Sequence, residues 1–282
     1  MFMPRDSDYD YLNCKCPSCY VMTDDDFEWQ RFMEEDSCGV DEKVICAVVN
    51  DNLKMVKMLL KNGFNVDEKD EDGWTPLHFA CNNGNYDISQ YLLKKEADVN
   101  AVTDDGEEST PLLLATMTLN LELVKLLVYY GADIETEDAH GWFPLAHACY
   151  NGDLNIIQFL IDSGANINHI NDGNENLLHL IINELINPDI LYKTLKFILP
   201  KGIDVNLLSD DSYGTPIFRA CEMYCRNIDS IKIVKLLLEY HADLTVPINN
   251  DITTCLEFAT KRNATHVVDF INNFLSNNQE SH

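Results

Sequence analysis

Residues 72–93 read DGWTPLHFACNNGNYDISQYLL. Gly73 suits a positive-φ turn. Thr75 can cap a helix with its hydroxyl, and Pro76 fits the first helical position, where a missing N–H costs little. Asn83-Gly84 breaks that helix, and the amphipathic run that follows predicts a second one. Two short helices with one apolar face each do not make a core, so something else must cover them.

The cover is the same pattern repeated. Residues 105–127 read DGEESTPLLLATMTLNLELVKLL, 140–160 HGWFPLAHACYNGDLNIIQFL, 213–221 YGTPIFRAC and 254–259 TCLEFA, with NLLHLI at 176–181 as a degenerate copy. A second signature follows each second helix: GFNVDE at 63–68, EADVNA at 96–101, GADIET at 131–136, GANINH at 164–169, GIDVNL at 202–207 and HADLTV at 241–246. Ala47 to Phe64, Ala80 to Ala97, Ala115 to Ala132 and Ala148 to Ala165 are each 17 residues apart. Ile181 to Ile203 and Ala220 to Ala242 are 22 apart, so the fifth and sixth copies carry five extra residues between their paired helices. Thr75, Thr110, Thr215 and Thr254 stand at the cap. Phe143 replaces the cap in the fourth copy and predicts a weaker helix start there. Ala80, Ala115, Ala148 and Ala220 permit close helix approach. Leu92-Leu93, Leu126-Leu127 and Leu236-Leu237 supply the apolar face of the second helices.

G-x-T-P-L-H-x-A at the first helix and G-A-D-x-N after the second resemble the ankyrin repeat family. The resemblance covers about residues 38–276. It implies an all-α fold, an ankyrin-repeat solenoid of stacked helix-turn-helix units with β-turn fingers, in which neighbouring repeats shelter one another's apolar faces. The expected copies are 38–69, 70–102, 103–137, 138–170, 171–208, 209–247 and 248–276. The first and last read as caps, and 277–282 as a tail. His78 and His179 occupy the family's histidine position, where hydrogen bonding near the turn is the usual role. His147 stands one position off it.

Ankyrin arrays usually bind partners on the concave face made by finger tips and first helices. The matching positions are Glu71, Asp72, Trp74, Asp104, Asp105, Glu107, Glu108, Glu137, Asp138, His140 and Trp142 on fingers, and Asn82, Asn83, Met117, Thr118, Tyr150 and Asn151 on first helices. Carboxylates beside two tryptophans suit a Lys/Arg-rich segment that pairs with acids and stacks on indoles. The competing expectation is that the fingers are solvated loops and the tryptophans pack on neighbouring fingers.

Charge points the same way. Forty-seven Asp and Glu against 20 Lys and Arg leave a formal net charge of −27, which repels phosphate backbones and anionic membranes. The expected partner is a protein with a basic segment, not nucleic acid or membrane, bound by a monomer. The N-terminus lacks the apolar core of a secretory signal, and no apolar run approaches the roughly 18 residues that span a bilayer. A cytosolic or nuclear setting follows, and the ten cysteines read as thiols. Cys81, Cys149 and Cys221 read as small buried hydrophobes. Cys225, one turn after Cys221, has no His or Cys nearby to complete a tetrahedral metal set.

Residues 1–37 are acidic, aromatic and outside the repeat register. Cys14, Cys16 and Cys19, with Cys38 as a distant fourth, are candidate zinc or copper ligands. The alternatives are a disordered thiol-bearing segment, or a short helix of Phe27, Trp29, Phe32 and Met33 lying on the first repeat. Asn100 resembles the asparagine hydroxylation site of some ankyrin repeats. The competing role is a hydrogen bond across the finger. Gly-rich phosphate loops, H-E-x-x-H and G-x-S-x-G do not occur, so no enzyme is expected. An adaptor is the second expectation: the N-terminal segment would recruit a bound partner to phosphatase- or ubiquitin-ligase-type machinery. Lys43-Val44-Ile45-Cys46 lacks the aromatic of the phosphatase-targeting motif, and FINNFLSNNQESH shows no ligase-recruiting box.

Overall fold

The Thr-Pro pairs start helices as the local chemistry demands. Thr75 and Thr110, both extended, accept from the backbone N–H groups of His78 and Leu113, and a proline follows each in the first turn. Thr254 does the same for Glu257 N–H, and the Glu257 carboxylate accepts from Thr254 N–H in return. That closes a reciprocal capping box. Phe143 offers no such oxygen and is instead 1% exposed, so apolar packing fills the cap position of the fourth copy.

The computed structural model describes residues 43–182, 187–209, 214–226, 231–246 and 254–279. The segment 1–37, with its cysteine cluster and aromatic residues, lies outside them, as does Cys38. The chain divides into two compact units, Met1–Pro144 and Leu145–His282. In the first, helices pair as α1 (Lys43–Val49) with α2 (Leu53–Lys61), α3 (Pro76–Asn82) with α4 (Tyr86–Lys94) and α5 (Pro111–Met117) with α6 (Leu121–Tyr129). First helices pack on first helices in the order α1, α3, α5, and second helices in the order α2, α4, α6. The alanines explain the close approach: Ala47, Ala80 and Ala115 are at most 1% exposed, beneath Val56, Leu77, Leu92, Leu112 and Leu127.

α7 (Pro144–Asn151) begins at the division between the units. The second unit continues with α8 (Leu154–Asp162), α9 (Leu177–Ile181), α10 (Pro188–Ile198) with a 3-10 turn at Leu199–Lys201, α11 (Pro216–Arg226), α12 (Ile231–Glu239), α13 (Cys255–Lys261) and α14 (Thr265–Gln279). Ala148, Ile181, Ala220 and Ala259 keep the phase and are fully buried. No strand occurs among the described residues, and one isolated bridge joins Ile170 and Asn176.

The five extra residues of copies five and six do not go to one place. In the sixth copy they lengthen the first helix: α11 has 11 residues where α3 and α5 have 7. Its sequence keeps apolar residues at helical spacing, and Met223 and Tyr224 in the added turn are 6% and 3% exposed. In the fifth copy the first helix stops after 5 residues, and Asn187 and Pro188 restart the chain as cap and first residue of an 11-residue second helix.

The fingers are held by one recurring device. The Asp or Asn of G-A-D-x-N folds back so that its Oδ1 accepts the backbone N–H two residues on, at Asn65, Asp98, Asp133, Asn166, Asp204 and Asp243. The final Asn reaches the next finger. Asn100 Oδ1 accepts Asp133 N–H at 2.8 Å while its Nδ2 donates to Gly131 O at 3.2 Å. Asn168 does the same with Asp204 and Gly202, and Asn206 with Asp243 and His241. In the first copy Asp67 stands at this position. It accepts Asp98 N–H at 2.9 Å but has no donor for the carbonyl beyond. Burial, opposed by that hydrogen bond and reinforced by the Asp98 carboxylate, holds its carboxyl above the ordinary range. Asp67→Asn restores the missing donor and removes the like-charge contact. It should raise stability by about 1 kcal/mol, read as a higher urea midpoint with an unchanged m value.

Cys81, Cys149 and Cys221 are fully buried free thiols, as small core residues are expected to be, and Cys225 and Cys255 are also free. Burial pushes the Cys81 thiol up to about 12 and that of Cys149 well above its ordinary value. Cys46 departs from the expectation of thiols: it is disulfide-bonded. A disulfide needs a second sulfur at a specific distance and angle, which spacing along the chain does not reveal.

Candidate functional site

Two fingers of the first unit close alike. Asp70 N–H donates to Trp74 O at 3.0 Å, and Gly73 N–H to Asp70 O at 3.1 Å. Asp70 Oδ1 then accepts from Asp72 N–H and Trp74 N–H. Asp138, Gly141 and Trp142 repeat the arrangement, with Asp138 Oδ1 accepting His140 N–H and Trp142 N–H at 2.9 Å each. Asp138 was expected among the partner-facing carboxylates. It is 7% exposed, because a finger turn with two inward N–H groups needs an acceptor. The intervening finger, longer by Glu107-Glu108, closes differently. Thr103 N–H donates to Ser109 O, Ser109 N–H to Thr103 Oγ1, and Asp105 Oδ1 accepts both Glu107 N–H and the Thr103 hydroxyl.

Neighbouring fingers are tied through their backbones. Asp104 N–H donates to Asp72 O at 2.8 Å and Ala139 N–H to Glu107 O at 3.0 Å. Trp74 adds a side-chain tie, its Nε1–H donating to Asp105 Oδ2 at 2.8 Å. Its ring lies 5.1 Å from that of Phe79 and 5.9 Å from that of His78, and the residue is 8% exposed. Trp74 is therefore not the exposed aromatic expected of a ligand platform: a large ring between finger and first helix gains more from burial than from solvent. Trp142 is half-buried.

Glu71, Asp104 and Glu108 are exposed along this row of fingers, and Asp72, Asp105, Glu107 and Glu137 are half-exposed. A lysine and an imidazole enter it. Lys69 Nζ lies 3.3 Å from Asp104 Oδ2, and His140 Nε2 3.3 Å from Glu107 Oε2. Exposed pairs of this kind contribute about 0–1 kcal/mol each, so an incoming cation can replace them at little cost. Asn82 and Asn83, at the end of α3, are exposed. Met117 and Thr118, at the end of α5, are half-buried. Tyr150 and Asn151 lie half-buried on α7 in the second unit. Asp70 and Lys69 were missed by sequence reasoning. The recurrence of D-x-x-G-W at 70–74 and 138–142 carried the signal for Asp70.

The family histidines hold the first helices to the next finger. Thr75 N–H donates to His78 Nδ1 at 3.1 Å, which makes Nε2 the protonated nitrogen, and Nε2 donates to Ala101 O at 3.0 Å and Ser109 O at 3.1 Å. In the second unit His179 Nδ1 accepts Asn176 N–H, and its Nε2 donates to Gly214 O at 3.1 Å. His147 is buried, 5% exposed, in the offset position. Burial, against the pull of the carbonyls, lowers both His78 and His179 from 6.5 to about 4. Between those values the unfolded chain holds the proton and the folded one does not. Stability therefore rises with pH across that window and is lost on acidification from 6.5 toward 4. Roughly 2.5 pH units correspond to about 3 kcal/mol per histidine. Carboxylate repulsion relaxes over the same range, so the histidine share is the difference from His78→Asn, whose urea midpoint should fall less between pH 7 and pH 4.5.

Among the described residues no group of three His, Cys, Asp or Glu could hold a metal ion, and no helix is long and apolar enough to cross a membrane. Cys14, Cys16 and Cys19 lie outside them.

A family model described as ankyrin repeats matches residues 37–103 and 96–171. The human ASB11 ankyrin repeat domain, known from a crystal structure, superposes with a TM-score of 0.60 at 25% identity over 76% of this chain and 90% of that one. The chain is an ankyrin-repeat protein. A putative ankyrin repeat protein of Rickettsia bellii is 32% identical over 162 residues, 53% of this chain and 46% of that protein. Mouse protein phosphatase 1 regulatory subunit 27 is 46% identical over 67 residues, 24% of this chain and 44% of that protein. The chain thus spans less than half the length of these curated relatives. Ankyrin repeats form a protein–protein interaction module, generally a non-enzymatic one.

Proposed function

We propose that this ankyrin protein binds a basic segment of a partner protein along the fingers of its first unit, and that it catalyses no reaction. The array is taken as residues 38–276, acting as a monomer in the cytosol or nucleus without a cofactor. One observation carries the reading. Two neighbouring fingers tied through their backbones present Glu71, Asp104 and Glu108 to solvent, and the pair that Lys69 makes with Asp104 is exposed enough to be displaced. Backbone ties between fingers hold those carboxylates at fixed spacing, which spares a ligand part of the ordering cost.

The test is fluorescence anisotropy with a labelled peptide of alternating Lys and Leu. Glu71→Gln/Asp104→Asn/Glu108→Gln should weaken binding at least tenfold and flatten its salt dependence. Neutralising Asp51, Asp87 and Glu122, all exposed on the first unit but outside its fingers, should change it less than twofold. Equal loss in both variants would reduce the binding to bulk charge and sink the reading.

The resemblance to a phosphatase regulatory subunit supports a second reading, an adaptor that brings its partner to a phosphatase through the N-terminal segment. Immobilised full chain should then retain purified protein phosphatase 1 catalytic subunit, and no retention would remove this alternative.

A further inference from the structure

Five lysines of the first unit lie close together in the fold. Helix α2, LKMVKMLLK, carries Lys54, Lys57 and Lys61 and no carboxylate. Residues 90–95, QYLLKK, close α4 with Lys94 and Lys95 and again no carboxylate. All five lysines are exposed. On α2 they are three and four residues apart, which places them on one side of the helix. α2 and α4 pack together, and the seam between them is marked by Tyr91. Lys57 Nζ, from one repeat, lies 5.5 Å from the Tyr91 ring centroid, and Lys95 Nζ, from the next, 5.8 Å from it. Two ammonium groups of successive repeats thus converge on one ring.

Carboxylates outnumber Lys and Arg by 47 to 20 in this chain, so a lysine set at random should meet one. Lys57, Lys61, Lys94 and Lys95 form no ion pair among the described residues, and Lys94 Nζ instead donates to Gln90 Oε1 at 2.8 Å. Asp87 and Glu96 lie just outside the two stretches, one in the first turn of α4 and one beyond its end. The first unit therefore carries an acidic finger row and, on different elements, a lysine face. Mobile ions screen charges over about 8 Å at physiological salt, so a ligand on α2 and α4 feels chiefly the charges it touches.

We propose that the α2–α4 face docks an Asp/Glu-rich segment of a partner protein, at a site separate from the finger row. The charge complementarity is local, and the Tyr91 ring fixes where two of the ammonium groups point. The site takes carboxylate side chains at Lys57 and Lys61 and ends against Lys94 and Lys95. It does not depend on the finger row.

The probe is fluorescein-labelled octaglutamate, titrated into the full chain by anisotropy, with octaglutamine as control. Saturable binding of octaglutamate alone is expected. Lys57→Gln/Lys61→Gln/Lys95→Gln should weaken it at least tenfold with an unchanged circular dichroism spectrum. Glu71→Gln/Asp104→Asn/Glu108→Gln should leave it intact. Absent binding, equal binding of octaglutamine, or no effect of the lysine substitutions would overturn the proposal. So would binding that appears only after Asp24, Asp25 and Asp26 are changed to Asn, since the chain's own acidic stretch would then be the occupant. Sedimentation showing a dimer that the lysine substitutions dissolve would name a second copy and overturn it equally.

Discussion

Trp74→Ala is expected to destabilise the first unit by about 3–5 kcal/mol, the range for emptying a large aromatic site. The indole is 8% exposed, leans on Phe79, and donates to Asp105 Oδ2 from the neighbouring finger. Removing it leaves a cavity between finger and first helix and strips one acceptor of its partner. Urea unfolding followed by circular dichroism reads the loss. Trp74→Phe separates the two effects: it keeps most of the packing and should cost about 1–2 kcal/mol. Binding of the basic peptide should survive Trp74→Phe, because that indole faces the core and not the ligand. Trp142→Ala, at a half-buried position, should cost less than half as much as Trp74→Ala.

The second large effect is at Gly73. Its φ is +77°, and a Cβ there would stand 2.5 Å from Asp104 Oδ2 and 2.6 Å from Asp104 N. The side chain of Asp104 can move aside, but its backbone N–H cannot, because it donates to Asp72 O and ties the two fingers. Gly73→Ala therefore strains the turn, by about 1–3 kcal/mol for a non-glycine residue in that region, and also separates the fingers. The total should reach about 3 kcal/mol or more. Hydrogen exchange should localise the damage to the amides of Gly73 and Asp104. Gly63, also at positive φ but with open space around its would-be Cβ, is the control, and Gly63→Ala should show the strain alone.

Much of the fold is legible in the chain because its marks are local. A cap oxygen, a proline at the first turn and an alanine at a helix crossing each act within a few residues, and their repeat at a fixed interval needs no three-dimensional knowledge. Six Asp or Asn residues make the same turn from the same sequence position. The five-residue insertions were legible in length but not in placement. Met223 and Tyr224 extend one helix, whereas Asn187-Pro188 begin another. The site was less legible for a chemical reason. An aspartate in a finger can turn inward to hold two N–H groups or outward to meet a ligand, and composition does not distinguish these. Asp138 turns inward and Asp104 stays exposed. Asn100 shows the same limit. Its side chain is engaged at both ends with the next finger, the role expected as an alternative to modification.

Photo-crosslinking tests the finger row most directly. A basic peptide carrying benzoylphenylalanine is bound to the full chain at physiological salt, irradiated, and the adducts are mapped by mass spectrometry. Adducts within residues 71–72 and 104–108, lost when unlabelled peptide competes, are the predicted result. Adducts concentrated on α2 and α4, or spread evenly over both units, would contradict it.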